Sequence, residues 1–166
     1  MSAAPPLGAA ERERLRGALG RFATGVTVLT AGRETPRGMT AGSFTSVSLD
    51  PPLVLVCVAR TAAVHATVLA EGGFAVSVLG ARQARLARHF ADHRRPRDGH
   101  EFDVADTFPG RFTGAPLLHG ALAWLECALT AVHDGGDHSI LLGAVREASR
   151  GTADEPLLHF GGALRP

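Results

Sequence analysis

Residues 38–59, GMTAGSFTSVSLDPPLVLVCVA, break at Asp50-Pro51-Pro52 into two unlike halves. The second half, 53–59, is an unbroken apolar run rich in β-branched residues, which predicts a buried strand. The first half carries no charge and is made largely of Gly, Ala, Ser and Thr, yet strand-like sequence flanks it on both sides. Small residues let other atoms approach the main chain closely, and irregular backbone leaves N–H groups free to donate. Such a stretch suits a flat ring rich in oxygen and nitrogen; it equally suits a plain Ser/Thr-rich edge strand and turn. It is not a Walker loop, since Gly-Lys-Ser/Thr is absent, nor a dinucleotide fingerprint, which needs G-x-G-x-x-G between strand and helix.

Outward from this stretch, the pattern predicts a floppy leader over 1–10 and a single domain over 11–166. A helix is expected over 11–21, with Leu15, Ala18, Leu19 and Phe22 on its apolar face and Gly25 ending the segment. Strands are expected at 25–31, 74–79, 120–132, 138–147 and 157–160, and helices at 61–70 and 81–90. Segment 91–118 is charged, proline-bearing and aperiodic, and reads as a loop long enough to need a function or a covering role. Six or seven strands with short helices do not fit a doubly wound α/β fold, which places a longer helix after each strand. An antiparallel, closed or partly closed barrel with a few peripheral helices fits better, because closure removes sheet edges.

The chain has 166 residues, and 17 basic against 16 acidic groups leave a net charge of +1. That balance gives no general electrostatic case for nucleic acid or an anionic membrane. Every basic residue is Arg and none is Lys, which excludes Schiff-base and lysine-nucleophile chemistry. No apolar run approaches a membrane span and no signal peptide is evident, so the expected location is the cytoplasm. Cys57 and Cys127 sit in the apolar runs VLVCVA and WLECAL and read as buried free thiols.

Few residues offer chemistry. Gly136-Asp137-His138 sets a histidine beside an acid at a turn: a tuned proton donor, a ligand-orienting group, or a solvent-facing turn residue. Arg82, Arg85, Arg88, His89, Arg94, Arg95 and Arg97 form a local basic cluster in which Arg88, beside Phe90, is best placed to reach inward as a phosphate clamp. His89 and His93 have metal-ligand spacing, but no third ligand accompanies them, so no metal is expected. The nucleophile elbow G-x-S-x-G is missing.

The run GMTAGSFTSVSLDPPLVLVCV closely resembles the signature segment of the short-chain flavin reductases, which supply reduced flavin to two-component monooxygenases. RFATGVTVLT (21–30), FAVSVLG (74–80), LARHFA (86–91), GAPLLHGALAWLECAL (114–129), GDHSILLGAV (136–145) and PLLHFGG (156–162) follow in the family's order. The resemblance implies a mainly β fold: a split β-barrel with Greek-key topology, a few peripheral short helices, and assembly as a homodimer. It implies FMN or FAD as flavin and NADH or NADPH as reductant, with a partner monooxygenase component taking the reduced flavin. By the same likeness, Met39, Thr40, Ala41, Gly42, Ser43, Phe44, Thr45 and Ser46 cradle the isoalloxazine, and Asp50 and Pro51 shape the turn behind it. Arg60, Thr61 and Arg88 lie toward the ribityl phosphate, and His138 stands beside flavin and nicotinamide. This chain departs from the family at Gly42, Ser77 and Ala59, where Asn is common; Gly42 shifts more of the hold on the ring to backbone N–H groups. Two alternatives belong to other classes: a flavin- or haem-binding split barrel with another substrate, and a non-enzymatic binding or dimerisation module.

Overall fold

The computed structural model describes residues 7–95, 100–152 and 155–166; Arg97 of the basic cluster and residues 1–6 of the expected leader lie outside them. The chain is mainly β, with antiparallel sheets and peripheral helices. Its elements are α1 (Ala9–Leu19), β1 (Thr24–Gly25), β2 (Thr27–Ala31), β3 (Arg37–Ala41), β4 (Thr45–Leu49), β5 (Pro52–Ala59), α2 (Ala63–Glu71), β6 (Gly73–Val78), α3 (Ala84–Ala91), β7 (Thr107–Pro109), β8 (Pro116–Leu118), β9 (Ala123–Gly135), β10 (His138–Arg150), β11 (Leu158–Phe160) and β12 (Ala163–Arg165). A 3-10 turn, Ala81–Gln83, leads into α3.

Seven strands form the main sheet in the order β3-β2-β6-β9-β10-β5-β4, every pair antiparallel. The two rim strands, β3 and β4, are consecutive in the chain and separated only by Gly42, Ser43 and Phe44. Four Cα steps from Ala41 to Thr45 span at most about 14 Å. The sheet therefore curls until its rims lie within reach of one short link.

The concave face of that curl encloses Leu29, Val54, Val56, Val58, Phe74 and Leu141, with Val64 and Val68 of α2. A second cluster, with Val28, Leu79, Ala87, Phe90, Leu118 and Leu157, lies on the other side of β2 under α3 and the C-terminal strands. β2 is thus buried on both faces, which accounts for its β-branched run. Its two buried hydroxyls are satisfied: Thr27 Oγ1 donates to the Ala41 carbonyl at 2.8 Å and Thr30 Oγ1 to that of Pro116 at 2.7 Å.

Segment 91–118 is not the structureless loop its composition predicts. It contains the β7–β8 hairpin, and two buried carboxylates fasten it. Glu126 accepts from the N–H groups of Arg111 (2.8 Å), Phe112 (3.0 Å) and Thr113 (2.6 Å), and from Thr113 Oγ1 (2.7 Å). Glu101 takes the Gly38 N–H at 2.9 Å and pairs with Arg95 at 2.6 Å and Arg37 at 3.4 Å. Gly38 has no room for a side chain, since a Cβ there would lie 3.0 Å from the Phe90 ring and 3.2 Å from Phe102.

Other differences have simple causes. α1 starts at Ala9, inside the expected leader, and ends at Leu19 with Gly20 as its cap, within two residues of the expected end at 21; Gly25 lies in β1 and does not end it. Its apolar row finds no core: Leu15 and Leu19 are 47% and 64% exposed, and Phe22, which falls past the end of the helix, is 76% exposed. Periodicity reports which side of a helix is apolar, not what covers it. The uncharged stretch 38–48 folds as two strands around the link, and β12 pairs with β11 beyond the last expected element. Among the described residues no helix is long and apolar enough to cross a membrane.

Candidate functional site

Strand register gathers the site at one end of the main sheet. On β4 and β5, Thr45 pairs with Leu55, and continuing that antiparallel register sets Ser43 opposite Cys57. There the main chain has turned away and the side chain replaces it. Ser43 Oγ accepts from the Cys57 N–H at 3.0 Å and donates to the Cys57 carbonyl at 3.1 Å. On the other side of β5, Cys57 pairs with Ile140 and Ala59 with His138. Two residues of strand span about 7 Å, so His138 stands one short step from the Ser43–Cys57 bond.

The turn bearing His138 is braced. Arg60 donates from Nε to the Gly136 carbonyl (3.1 Å), from Nη2 to Asp134 Oδ1 (2.8 Å), and from its backbone N–H to the Asp137 carbonyl (3.1 Å). Asp134 Oδ1 also receives the Gly136 N–H at 3.0 Å. That N–H, followed by the Arg60 guanidinium, holds the Asp134 carboxyl below its ordinary range. Asp137 Oδ1 lies 2.7 Å from His138 Nδ1, and this bond holds the Asp137 carboxyl low as well. An ionised carboxylate only accepts, so Nδ1 carries the proton. Nε2 has no protein partner among the described residues.

The other side of the link faces a cleft of about 590 Å³ lined by Val26, Thr40, Gly42, Ala87, Arg88 and His159, among others. Thr40 Oγ1 is committed to the Ala87 carbonyl at 2.7 Å. Arg88 is exposed at the rim.

The expected residues therefore separate. Gly42, Ser43, Arg60, Thr61 and His138 converge on one end of the sheet, and Thr40 and Arg88 flank the link from the α3 side. Met39, Ala41 and Phe44 pack with the core, while Thr45 and Ser46 are exposed on β4. Asp50 and Pro51 form the tip of the β4–β5 hairpin, at the Pro52 end of β5. That is about 24 Å along the strand from Ala59, so this chain does not bring them to the other residues. Of the arginine cluster, Arg95 is tied to Glu101 and Arg94 to Asp92. His89 binds the Glu101 carbonyl through Nε2 at 2.9 Å. His159, at the cleft, had no signal beyond a lone histidine in LLHF.

Gly42 has no side chain, and Ser43 spends its hydroxyl on Cys57, which leaves the 42–44 main chain outside the β4–β5 ladder. Residues 19–166 match the model of the flavin reductase like domain. The chain belongs to the flavin reductase-like family. A relative in Streptomyces globisporus, an NADH-dependent FAD reductase, is 54% identical over 155 residues, covering 93% of this chain and 85% of that protein. Among solved structures, the NADH:FAD oxidoreductase of Streptomyces globisporus in complex with NAD and FAD fragments superposes with a TM-score of 0.89 at 50% identity, over 98% of this chain and 96% of that one. The flavin reductase component of a bacterial two-component tryptophan halogenase gives 0.88 at 51% identity, over 93% and 96%.

Proposed function

We propose that this flavin reductase-like chain is an NAD(P)H-dependent flavin reductase whose reduced flavin passes to a partner monooxygenase, with the isoalloxazine resting on the main chain of residues 42–44. The observation that carries the reading is the Ser43 hydroxyl closing the ladder at Cys57, with the link's own backbone left out of the β4–β5 pairing at the end of the sheet that bears His138. Bound there, FMN or FAD supplies the redox chemistry, accepting a hydride from reduced nicotinamide and leaving as reduced flavin.

The protein's part is placement and polarity. Link N–H groups donate toward the edge of the ring where negative charge grows, and such fixed donors cost no reorganisation. His138, its Nδ1 proton held by Asp137, turns Nε2 toward the nicotinamide carboxamide. Holding two rings near contact distance is worth orders of magnitude in rate, and a small misplacement loses much of it. Arg60 braces the His138 turn, while Arg88 and Thr61 are the groups left to meet the phosphate. No nucleophile or metal is called on. The antiparallel main sheet, whose rim strands are joined by one three-residue link, supports the split β-barrel with Greek-key topology that the family likeness implies. The exposed Leu15 and Leu19 on α1, Phe22 just past its end and Leu49 on β4 at 90% exposure support a homodimer. A cytoplasmic setting, where reduced nicotinamide is available, accords with this chemistry.

The test is a set of initial rates, NADH and NADPH each against FAD and FMN, followed by nicotinamide absorbance. NADH with FAD is the pair that the Streptomyces globisporus relative uses. Oxidation of nicotinamide that depends on added flavin is expected, and a flat trace with all four pairs overturns the reading in favour of a binding module. His138→Ala should slow flavin reduction by about 10–100-fold with flavin affinity little changed. A flavin-dependent halogenase is the second class of partner, favoured by the 51% likeness to a halogenase reductase component.

A further inference from the structure

His65 belongs to none of the groups described so far. It lies in the first turn of α2, between the buried Val64 and the exposed Ala66, and its half-buried ring reaches β10. There His65 Nε2 lies 2.9 Å from Ser139 Oγ. Ser139 is 1% exposed and occupies the core-facing side of β10 together with Leu141. A hydroxyl in an apolar wall needs a partner, and His65 is the partner that the structure provides.

Ser139 is also the residue next to His138. Along a strand, neighbouring side chains point to opposite faces. The residue that anchors β10 from inside therefore fixes the origin of the residue that faces the ligand outside. The Arg60 N–H already holds the carbonyl of Asp137, on the other side of His138. His138 is thus gripped one residue before and one residue after, by groups on the two flanks of the β5–α2 turn. We infer that His65 is a positioning residue for the reductase reaction, setting the His138 imidazole through its hydrogen bond to Ser139 Oγ. This rests on the proposal that His138 serves hydride transfer.

The experiment is a double-mutant cycle read by single-turnover flavin reduction, alongside fluorescence titration of oxidised flavin. His65→Leu removes the bond and keeps an apolar side chain against α2's neighbours. It should slow reduction about tenfold, the scale of a misplaced orienting group, while the flavin Kd changes less than twofold. His65→Gln carries an amide nitrogen at the reach of Nε2 and should hold the rate within about threefold of the parent. In a His138→Ala background His65→Leu should cause no further loss, because nothing remains to be positioned. In the flavin-free protein, His65→Leu should shift the imidazole NMR signals of His138.

An equal loss with and without His138 overturns the inference, as does a flavin Kd that weakens in step with the rate, since either marks a general structural role. An unchanged rate in His65→Leu, with His138→Ala slow, sinks this inference and leaves the wider reading intact. An unchanged rate in His138→Ala sinks both. Should His65→Leu fail to fold, Ser139→Ala breaks the same bond without orphaning a buried hydroxyl, and the same dependence on His138 is required of it.

Discussion

Ser43 Oγ stands 3.0 Å from the Cys57 amide nitrogen and 3.1 Å from its carbonyl oxygen, so one side chain closes the sheet ladder where the main chain has left it. The rim strands β3 and β4 are joined at this point, and the link's backbone lies outside the β4–β5 ladder.

Ser43→Ala leaves both main-chain groups of Cys57 without that partner. The expected cost is about 1–3 kcal/mol, which at this chain length lowers Tm by about 2–4 °C per kcal/mol. Flavin affinity should fall with it, since the link loses its fixed path. Thermal unfolding and a flavin titration on the same protein check this. A destabilised protein that binds flavin as before would move the ring away from residues 42–44.

Gly42 is the second test of the link. A Cβ there would lie 3.0 Å from Thr24 Oγ1, and the backbone does not require glycine. The Thr24 side chain can rotate aside, so Gly42→Asn should fold with a loss under about 1 kcal/mol. Its amide adds a donor beside the proposed ring, and flavin Kd should tighten several-fold in a fluorescence titration. Weakening of tenfold or more would mean that the ring needs the space Gly42 leaves.

Acid should loosen the His138 turn. Asp134 and Asp137 both titrate below 3.8 in the folded chain, Asp134 through the Gly136 N–H and Arg60, Asp137 through His138. A carboxyl lowered on folding stabilises fully above its unfolded pKa, and that contribution drains as pH falls through the lowered folded value. The window therefore opens just under pH 3.8 and extends downward. Both groups are at the surface, so the effect is small in energy. Carbon NMR titration should show both carboxyls more ionised than free aspartate at the same pH, and Arg60→Ala should raise Asp134 toward 3.8.

The two thiols should behave differently. Burial first, and then the Glu126 charge, push Cys127 up to about 12, so it stays a neutral, unreactive thiol. Cys57 is partly exposed on β5. Alkylation of the native protein followed by mass measurement should give one adduct, at Cys57, and a second only in denaturant. Rapid double labelling of folded protein would contradict the packing around Cys127.

Much of the sheet was legible beforehand because β-branched runs bounded by Gly and Pro announce strands: 53–59, 74–79 and 138–147 all lie in β5, β6 and β10 to within a residue or two. β3 and β4 were not legible as separate strands, since the 38–48 stretch is small and hydroxyl-rich throughout and the link Gly42-Ser43-Phe44 that divides it carries no charge or proline to mark a turn. β7 and β8 are three residues each and are held by contacts to distant carboxylates, which no local pattern records. In the site, His138 and the small-residue link stood out by composition. The bonds that define their use did not: Ser43 to Cys57, Arg60 to the 134–137 turn and Thr40 to Ala87 each join residues far apart in the chain. The Thr40 and Ser43 hydroxyls, expected to grip a ligand, hold the protein.

The curl of the main sheet also governs its tolerance to shear. Each rim strand ends on the same three-residue tether, so a slip at one rim must be matched at the other or stretch residues 42–44. A slip of one residue would invert every side chain of the strand that moved. Insertions at the Asp50-Pro51 tip should be absorbed locally, whereas one extra residue in the tether would relax the coupling between opposite margins of the sheet.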